Sequence, residues 1–434
     1  MNKKLKIAAT TLGCKVNVYD TEAMLSMFKN SGHEITDFDS IADVYIVNTC
    51  TVTNFGDKKS RQMLRLAKKT NPNAIVVAAG CYTQVSPQEI SAIDGVNILI
   101  GTKERNRIVE IVENYIENQE PESYIFDIMK ETKFENLEIN NLSDKTRGYV
   151  KIQEGCDKFC TYCIIPYARG PVRSRTPEDI ISEIKKLRNN GYKEIVLVGI
   201  NVASYGKDLK YTNLISILKE VHEISGVERI RFSSVEPTVI TNEFIECLKD
   251  MPKICDHFHL SLQSGSGNIL KKMNRSYAKN DYKQAVLKLR KIMPQVGITT
   301  DIIVGFPGES EEDFLESYEF VKEMALAKIH VFQYSPKKGT KASRFSDQIQ
   351  NRIKEERSKK MIALGEDLQK HFLESFVGKN LDILFEKRNK QGFYEGYSTN
   401  YIPVKFFSQK CIENEIFNLK VLKIEGFSAI MQEI

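Results

Sequence analysis

Three cysteines, Cys156, Cys160 and Cys163, lie within eight residues of one another in the segment GCDKFCTYCIIPYARG. Their spacing, C-x-x-x-C-x-x-C, predicts three thiolates on one short loop. Three thiolates can bind three irons of a four-iron cubane and leave the fourth iron without a protein ligand. Because an open iron can bind a small molecule, the spacing indicates a cluster that takes part in chemistry.

Two other interpretations of this loop stay open, a zinc site and three unrelated core thiols. Zinc usually takes four ligands from paired cysteine or histidine sets. The sequence supplies no fourth cysteine or histidine near the loop. We therefore favour the iron–sulfur interpretation over both.

A second group of cysteines follows three apolar segments of the first third of the chain. LKIAATTLGC ends at Cys14, VYIVNTC at Cys50 and AIVVAAGC at Cys81, with spacings of 36 and 31 residues. These spacings match βαβ units of a parallel sheet, whose carboxyl edge is a ligand crevice. The pattern predicts a second three-cysteine cluster with an open iron. The alternative is three core cysteines that end strands by coincidence.

Basic residues recur at helical spacing between Cys50 and Cys81. Lys58, Arg61 and Arg65 lie on one face of the predicted helix, together with Lys68. One interpretation is a face that binds RNA phosphates. The other is a solvated amphipathic helix, and the helix pattern alone favours it.

The elements that must position the first loop are alternating strands and helices in the middle of the chain. Six strands are predicted, at 149–153, 194–200, 229–235, 257–262, 298–304 and 329–334. Thr176 and Pro177 predict the start of the first helix, and Gly191 its end. Six such units indicate a partial (β/α)6 barrel, which carries its catalytic groups at the carboxyl ends of the strands.

Polar and glycine-rich segments end the other predicted strands, at 199–206, 233–237, 261–266 and 305–310. Asn201, Glu236 and Gln263 are placed there to hydrogen-bond a polar ligand, and glycines such as Gly199 allow close backbone approach. Each segment alone is also explained as a turn or cap. We interpret His257 and His259 as packing or rim residues. Three further cysteines lack cluster spacing and are interpreted as structural: Cys247, Cys255 and Cys411.

The C-terminal part predicts a charged helix over 341–372, followed by five short β segments. Five short strands in such a length indicate a small β-barrel. Many small barrels bind RNA through aromatic and polar groups on one face. Tyr397, Asn400 and Tyr401 are candidate RNA contacts. The charge of residues 373–434 is balanced, which argues against a strong hold on phosphates.

The length allows two or three domains, and the composition is that of an ordinary soluble globular protein. The 434 residues are 41% hydrophobic and 27% charged, and the net charge is +5. No apolar run is long enough to span a membrane, and we interpret the N-terminus as a β-strand. Nine cysteines without an export signal predict metal ligation in a reducing cytoplasm. The net charge is too small to establish a nucleic-acid partner.

The three parts in this order resemble the methylthiotransferase family of radical S-adenosylmethionine (SAM) enzymes. The resemblance covers nearly the whole chain and is carried by TLGCKVN at 11–17 and GCDKFCTYCIIPYARGPVRSR at 155–175. These strings, with HVFQYSPKKGTKA at 330–342, are most similar to the MtaB-type tRNA enzymes. The MiaB-type group usually shows GCQMN at the first site, and the RimO-type group GCPKN.

The resemblance implies three domains. Residues 1–125 would be a Rossmann/flavodoxin-like methylthiotransferase domain, residues 142–372 a radical SAM domain and residues 373–434 a TRAM-type RNA-binding barrel. It implies a cytoplasmic monomer without membrane contact. Its partners would be the anticodon stem-loop of tRNA and an electron donor such as flavodoxin or ferredoxin.

The resemblance also implies two 4Fe-4S clusters. Cys156, Cys160 and Cys163 would bind the cluster that cleaves SAM, and an auxiliary cluster would carry the transferred sulfur on the other three cysteines: Cys14, Cys50 and Cys81. The SAM contacts would be five residues: Tyr162, Gly199, Asn201, Glu236 and Gln263. One SAM methylates the sulfur, and a second gives the deoxyadenosyl radical that takes hydrogen from adenine C2. No side-chain acid or base is required.

Other acceptors and another class of protein stay open. The family also contains enzymes for isopentenyladenosine in tRNA and for a ribosomal protein, and the KVN residues after Cys14 speak against both. A non-catalytic iron–sulfur RNA-binding sensor would not need the polar rim of the predicted barrel. The substrate implied is N6-threonylcarbamoyladenosine beside the anticodon.

Overall fold

The structure, a computed structural model, describes residues 4–137, 139 and 146–433. The predicted domain start at residue 142 lies outside the described residues, as do residues 1–3 and 434. Within the described ranges, no helix has both the length and the apolar character needed to cross a membrane.

The N-terminal part is a six-stranded parallel sheet in the order β2-β1-β3-β4-β5-β6. Its strands are β1 (Lys6–Thr11), β2 (Glu34–Thr36), β3 (Val44–Thr49), β4 (Ile75–Gly80), β5 (Ile98–Ile100) and β6 (Glu122–Tyr124). Its helices are α1 (Lys15–Asn30), α2 (Asn54–Thr70), α3 (Cys81–Val85), α4 (Pro87–Ser91) and α5 (Ile108–Asn118). All six residues of β3 are buried, because helices cover both faces of the sheet. The order of the first five strands is that of the flavodoxin-like fold, which confirms the predicted class.

The central part contains six parallel strands, with one short antiparallel strand beside the first. The strands are β7 (Arg147–Glu154), β8 (Arg173–Ser174), β9 (Glu194–Gly199), β10 (Arg229–Phe232), β11 (His257–His259), β12 (Gly297–Val304) and β13 (Lys328–Gln333). They form two sheets, β10-β9-β7-β8 and β11-β12-β13. Val235 and Leu260 pair in parallel between the two sheets. The predicted partial (β/α)6 barrel is therefore confirmed.

Helices surround this barrel and bury one large apolar core against it. They are α6 (Ile165–Arg169), α7 (Pro177–Asn189), α8 (Leu214–His222), α9 (Asn242–Lys249), α10 (Gly267–Lys272), α11 (Lys279–Ile292) and α12 (Glu311–Met324). The N-cap of α7 is Thr176, as predicted, and its side chain accepts a hydrogen bond from the backbone N–H of Asp179. Gly191 follows the helix with a φ of +88°, a left-handed conformation that favours glycine.

The long helix α13 (Asn351–Glu374) begins ten residues later than the predicted start at 341. Residues Ala342–Arg344 form one 3₁₀ turn instead. The Phe345 ring then packs at 6.3 Å from that of Phe306. This packing holds the segment against the barrel and prevents it from continuing into the helix, so tertiary contact overrides the charged helical pattern.

The C-terminal part is a closed five-stranded barrel in the order β14-β15-β16-β18-β17. Its strands are β14 (Asn380–Arg388), β15 (Phe393–Ser398), β16 (Pro403–Phe407), β17 (Ile416–Glu425) and β18 (Ser428–Gln432). Its interior is apolar and includes the α13 residue Leu373. The predicted small β-barrel is thus confirmed, and α13 joins it to the central barrel.

Candidate active site

The sheet order brings Cys14 and Cys50 together at the carboxyl ends of neighbouring strands. Cys14 follows β1 and Cys50 follows β3, and these two strands pair at the point where the strand order reverses. Such a reversal leaves an open crevice. Gly13 has a φ of +100°, and a Cβ added to it would lie 2.8 Å from Cys50 Sγ. Cys81 follows β4, the next strand along the sheet.

The loop of Cys156, Cys160 and Cys163 leaves the end of β7 and is held by backbone hydrogen bonds. The N–H of Cys156 donates to the carbonyl of Gly170 at 3.0 Å, and that of Cys163 donates to Cys160 at 2.9 Å. Gly155 has a φ of +76°, and a Cβ added to it would lie 1.7 Å from the carbonyl oxygen of Pro171. The loop can therefore pass this point only with glycine.

Gly155→Ala is expected to destabilise the chain by about 2–4 kcal/mol and to lower its capacity for iron, since both the left-handed backbone and the Pro171 contact oppose a side chain. Thermal unfolding and the iron content after anaerobic reconstitution measure the two effects. The matched control is Gly267→Ala, because a Cβ at Gly267 meets no atom within 4 Å. Equal stability and iron content in the two variants would contradict the prediction.

One cavity has the three β7-loop cysteines and one strand-end cysteine, Cys14, in its wall. It has a volume of about 800 Å³. Ligand pockets usually have volumes of ~300–1,000 Å³. Four predicted SAM contacts line it: Tyr162, Gly199, Asn201 and Glu236. The fifth, Gln263, lies outside this lining, as do the glycine-rich residues 305–310.

The thiols suit a cluster better than a single ion. All nine cysteines are free. Within the described ranges, no three histidine, cysteine, aspartate or glutamate side chains converge on a point that one metal ion could occupy. In a four-iron cubane each thiolate binds a different iron, so thiols that bind a cluster need not converge on one point.

Burial raises the pKa of the Cys50 thiol to about 11 and that of Cys163 to about 12. Burial also raises the pKa of the Cys81 and Cys156 thiols. A thiol that coordinates a metal is deprotonated by the charge of the metal. The buried thiols therefore need the iron as a counter-charge before they can be thiolates at neutral pH.

Two arginines that the sequence analysis did not identify contact the cysteine groups. Arg169 Nε donates to Cys81 Sγ at 3.1 Å, and Arg275 Nη1 donates to Cys160 Sγ at 3.1 Å. Hydrogen bonds to the sulfurs are among the factors that set the potential of an iron–sulfur cluster. Arg169 stands in the cysteine string itself, whereas no sequence pattern marks Arg275.

Arg169 belongs to a buried ion network between the N-terminal sheet and the central barrel. Its guanidinium contacts the carboxylates of Asp20 and Glu154, which also bind Arg105 and Lys151. Each of these side chains is at most 1% exposed. Burial alone would raise the pKa of Asp20 and Glu154, but the surrounding cations hold both below their ordinary values.

The cavity wall presents polar atoms that fit a polar ligand. Ser233 Oγ and His257 Nδ1 are buried and have no hydrogen-bond partner among the described residues. Glu236 pairs with Arg275 at 3.1 Å and with Lys158 at 3.2 Å. SAM carries an ammonium, a carboxylate and ribose hydroxyls. Unpaired polar atoms in the wall of the cavity that holds three thiols can therefore bind the polar groups of SAM.

The predicted RNA contacts of α2 lie at the surface, with one exception. Lys58 and Arg65 are exposed. Arg61 is half-buried and hydrogen-bonds the Tyr82 hydroxyl, which in turn donates to Glu89 at 2.6 Å. Arg61 therefore has a structural partner already, and contact of this face with RNA stays a prediction.

Tyr397, Asn400 and Tyr401 face the central barrel in this structure. Asn400 is 2% exposed, and its side chain donates to the carbonyl of Gln295 at 3.1 Å. The Tyr401 ring stacks on Tyr397 at 4.7 Å and on His257 at 4.6 Å. These contacts dock the C-terminal barrel on the amino ends of the central strands. All three residues also line the cavity described above, and their contact with RNA stays a prediction.

The histidines and the remaining cysteines divide between the cavity and the core. His257 and His259 line the cavity, and the Nδ1 atom of His259 lies 3.0 Å from Thr299 Oγ1. Cys255 is buried, Cys247 is half-buried and Cys411 is exposed. None of these three cysteines belongs to the cavity lining described above.

Comparison with known proteins finds matches for the segments that carry both groups of cysteines. A family model described as "Radical SAM superfamily" matches residues 150–321, and one described as "Uncharacterized protein family UPF0004" matches residues 6–101. The threonylcarbamoyladenosine tRNA methylthiotransferase MtaB of Bacillus subtilis is 44% identical over 96% of this chain and 94% of that protein. The tRNA-2-methylthio-N(6)-dimethylallyladenosine synthase of Clostridium botulinum is 37% identical over 98% and 96%.

Solved structures share the fold at low sequence identity. The radical SAM methyltransferase TsrM of Kitasatospora setae has a TM-score of 0.54 over 75% of this chain and 72% of that one, at 14% identity. The cobalamin-dependent SAM radical enzyme OxsB has a TM-score of 0.51 over 86% of this chain and 56% of that one, at 13% identity. At this identity the likeness shows the fold alone.

Proposed function

We propose, from the premise that this chain belongs to the methylthiotransferase family of radical SAM enzymes, that it modifies N6-threonylcarbamoyladenosine beside the anticodon of tRNA. The chain is a tRNA methylthiotransferase of the MtaB and MiaB type, and its cofactors are SAM and 4Fe-4S clusters. The proposal adds the modified base, the product with a methylthio group at C2, and the use of two clusters.

The observation that carries the proposal is the cavity lined by Cys14 and by the three cysteines of the β7 loop. A C–H bond of an adenine ring has no acidity that a side-chain base could use, so cofactors must carry the chemistry. When bound, SAM and the cluster of the β7 loop would supply the one-electron cleavage that leads to removal of the C2 hydrogen, and the auxiliary cluster would supply the sulfur that takes its place. A base between the two cysteine groups would be within reach of both. An anticodon-loop base can enter because loop bases can be splayed out of the stack.

The residues of the chain would hold and orient these groups. Cys156, Cys160 and Cys163 would hold the SAM-binding cluster, and the other strand-end cysteines, Cys14, Cys50 and Cys81, the auxiliary one. Glu236 and Asn201 in the cavity wall would orient the polar groups of SAM. The C-terminal barrel closes the amino end of the central strands, which would keep water from the reacting carbon.

Two findings support threonylcarbamoyladenosine over dimethylallyladenosine. The two relatives named for the former are 44% and 41% identical to this chain, and the Clostridium botulinum relative named for the latter is 37% identical. The residue after Cys14 is a lysine, a cation suited to an anionic substituent. The proposal includes a cytoplasmic monomer that receives electrons from a flavodoxin or ferredoxin.

Nucleoside analysis by mass spectrometry tests the proposal. Enzyme reconstituted under anaerobic conditions is incubated with SAM, a reductant and tRNA that carries threonylcarbamoyladenosine. A parallel reaction contains tRNA with dimethylallyladenosine. We expect a methylthio group on the first nucleoside and none on the second.

Two outcomes would contradict the assignment. Methylthio transfer to dimethylallyladenosine alone would assign the chain to the other tRNA substrate. SAM cleavage without transfer to either tRNA would leave the radical chemistry standing and remove threonylcarbamoyladenosine as the acceptor.

A further inference from the structure

Lys15 is a cation of the cavity wall, and its strongest electrostatic neighbour is the Tyr401 phenol. It follows Cys14, begins α1 and lines the cavity described above. Its side chain is half-buried. Within the described part of the chain, the Lys15 ammonium makes no hydrogen bond and no ion pair.

The arginines near Lys15 are already neutralised. Arg147 pairs with Glu386 at 2.7 Å, and Arg231 pairs with Glu194 at 2.9 Å. The Tyr401 phenol and the Glu194 carboxylate attract the charge of Lys15, and Arg147 and Arg231 repel it. A half-buried ammonium loses part of its hydration, so an added anion would stabilise it. This end of the cavity therefore favours an anionic ligand over a neutral one.

The proposed substrate brings such an anion to the same place. The reacting carbon, C2 of adenine, would lie between the two cysteine groups, and N6 belongs to the same small ring system. A threonylcarbamoyl group on N6 ends in a carboxylate, whereas a dimethylallyl group is apolar and uncharged. The substituent must fit in the cavity, because C2 cannot approach the cysteines while N6 stays outside.

We propose that Lys15 binds the carboxylate of the threonylcarbamoyl group and thereby selects this base over bases with a neutral N6 substituent. This inference rests on the proposed function. Lys15 is a positioning and specificity-determining residue in this scheme, since its ammonium contacts the substituent and not the reacting carbon. A charge-assisted hydrogen bond of this kind contributes more than a neutral one.

Lys328 is the rival candidate. It also lines the cavity, but it is exposed at the first residue of β13. Water solvates an exposed ammonium, so Lys328 would gain little from a substrate carboxylate. The difference in burial is what assigns the carboxylate to Lys15.

The test compares two substrates on two enzymes. The substrates are anticodon stem-loops with threonylcarbamoyladenosine and with its carboxamide analogue, in which the carboxylate is a neutral amide. Reconstituted wild-type enzyme and Lys15→Gln are assayed for methylthio transfer, and binding of each stem-loop is measured by fluorescence anisotropy without SAM. We expect the wild type to prefer the carboxylate about ten- to hundredfold. Lys15→Gln should prefer it less than about threefold, because the coupled partner is gone.

Three further variants make the result specific. Lys15→Arg keeps the charge and should keep most of the preference. Lys29→Gln, at the exposed last turn of the same helix, should match the wild type. An unchanged preference in Lys15→Gln would overturn the inference, as would loss of the preference in Lys328→Gln but not in Lys15→Gln.

Failure of the proposed function is distinguishable from failure of the inference. If the wild type does not transfer a methylthio group to the carboxylate substrate, the proposed function fails and Lys15 is not at issue. If the wild type transfers it and Lys15→Gln discriminates equally well in both transfer and binding, only the inference fails. The ratio of the two substrates on one enzyme cancels any general loss of cluster content.

Discussion

Cys81→Ala is expected to abolish methylthio transfer while reductive SAM cleavage remains measurable. Cys81 follows β4 of the N-terminal sheet and is not part of the β7 loop that holds the other three cysteines. Loss of one of three thiolates should remove or cripple the auxiliary cluster and leave the SAM-binding cluster intact. Transfer is measured as the methylthio nucleoside and cleavage as 5′-deoxyadenosine, both by mass spectrometry of one reaction.

Cys160→Ala is the complementary variant and should abolish both products. Cys160 lies in the β7 loop and accepts a hydrogen bond from Arg275. The control is Cys255→Ala, which removes a buried thiol outside the cavity lining and should retain both products. Substantial transfer by Cys81→Ala would show that the auxiliary site is not required. Cys81→Ala could also lose both products while electron paramagnetic resonance shows an intact cluster in the β7 loop. That outcome would contradict the proposal that one cluster cleaves SAM and the other supplies the sulfur.

Arg169→Ala is expected to lower the free energy of unfolding by about 3–5 kcal/mol, the usual cost of removing one partner of a buried ion pair. The substitution leaves the Asp20 and Glu154 carboxylates buried with one fewer cation, and Arg105 and Lys151 continue to pair with them. It also removes the donor to Cys81 Sγ. Urea denaturation of the full chain, followed by circular dichroism, measures the loss.

The matched control for this loss is Arg107→Ala. Arg107 also pairs with two carboxylates, Glu104 and Glu110, but its side chain is 43% exposed. Exposed pairs contribute little because water screens them, so we expect a much smaller loss than in Arg169→Ala. Equal losses in the two variants would show that the buried network does not stabilise the junction between the N-terminal sheet and the central barrel.

Arg169→Lys separates charge from geometry. Lysine keeps the positive charge but lacks the planar fork that reaches Cys81, Asp20 and Glu154 together. We expect it to recover part of the lost stability and not the hydrogen bond to the Cys81 sulfur. A change in the auxiliary cluster's reduction potential that persists in Arg169→Lys would report that missing hydrogen bond.

The sequence by itself determined the cysteine chemistry and the order of the elements. Cys156, Cys160 and Cys163 lie within eight residues of one another, so the covalent chain keeps these thiols near one another without any tertiary packing. The apolar runs before Cys14, Cys50 and Cys81 predict strands that are buried on both faces of a sheet. Parallel strands place their carboxyl ends at one edge of that sheet. The Thr176 cap and the five short C-terminal strands are likewise local patterns, since backbone hydrogen bonding follows nearby residue types.

Only the tertiary structure decided which distant residues meet. Arg169 reaches Cys81 across 88 residues of chain, and Arg275 reaches Cys160 across 115. The placement of Lys15 in the cavity wall and the docking of Asn400 on the central barrel depend on how the N-terminal sheet and the two barrels pack. No local periodicity records these contacts, because they depend on packing angles between elements far apart in sequence. The same reason explains why α13 begins at Asn351: its predicted first turns pack against the barrel around Phe306.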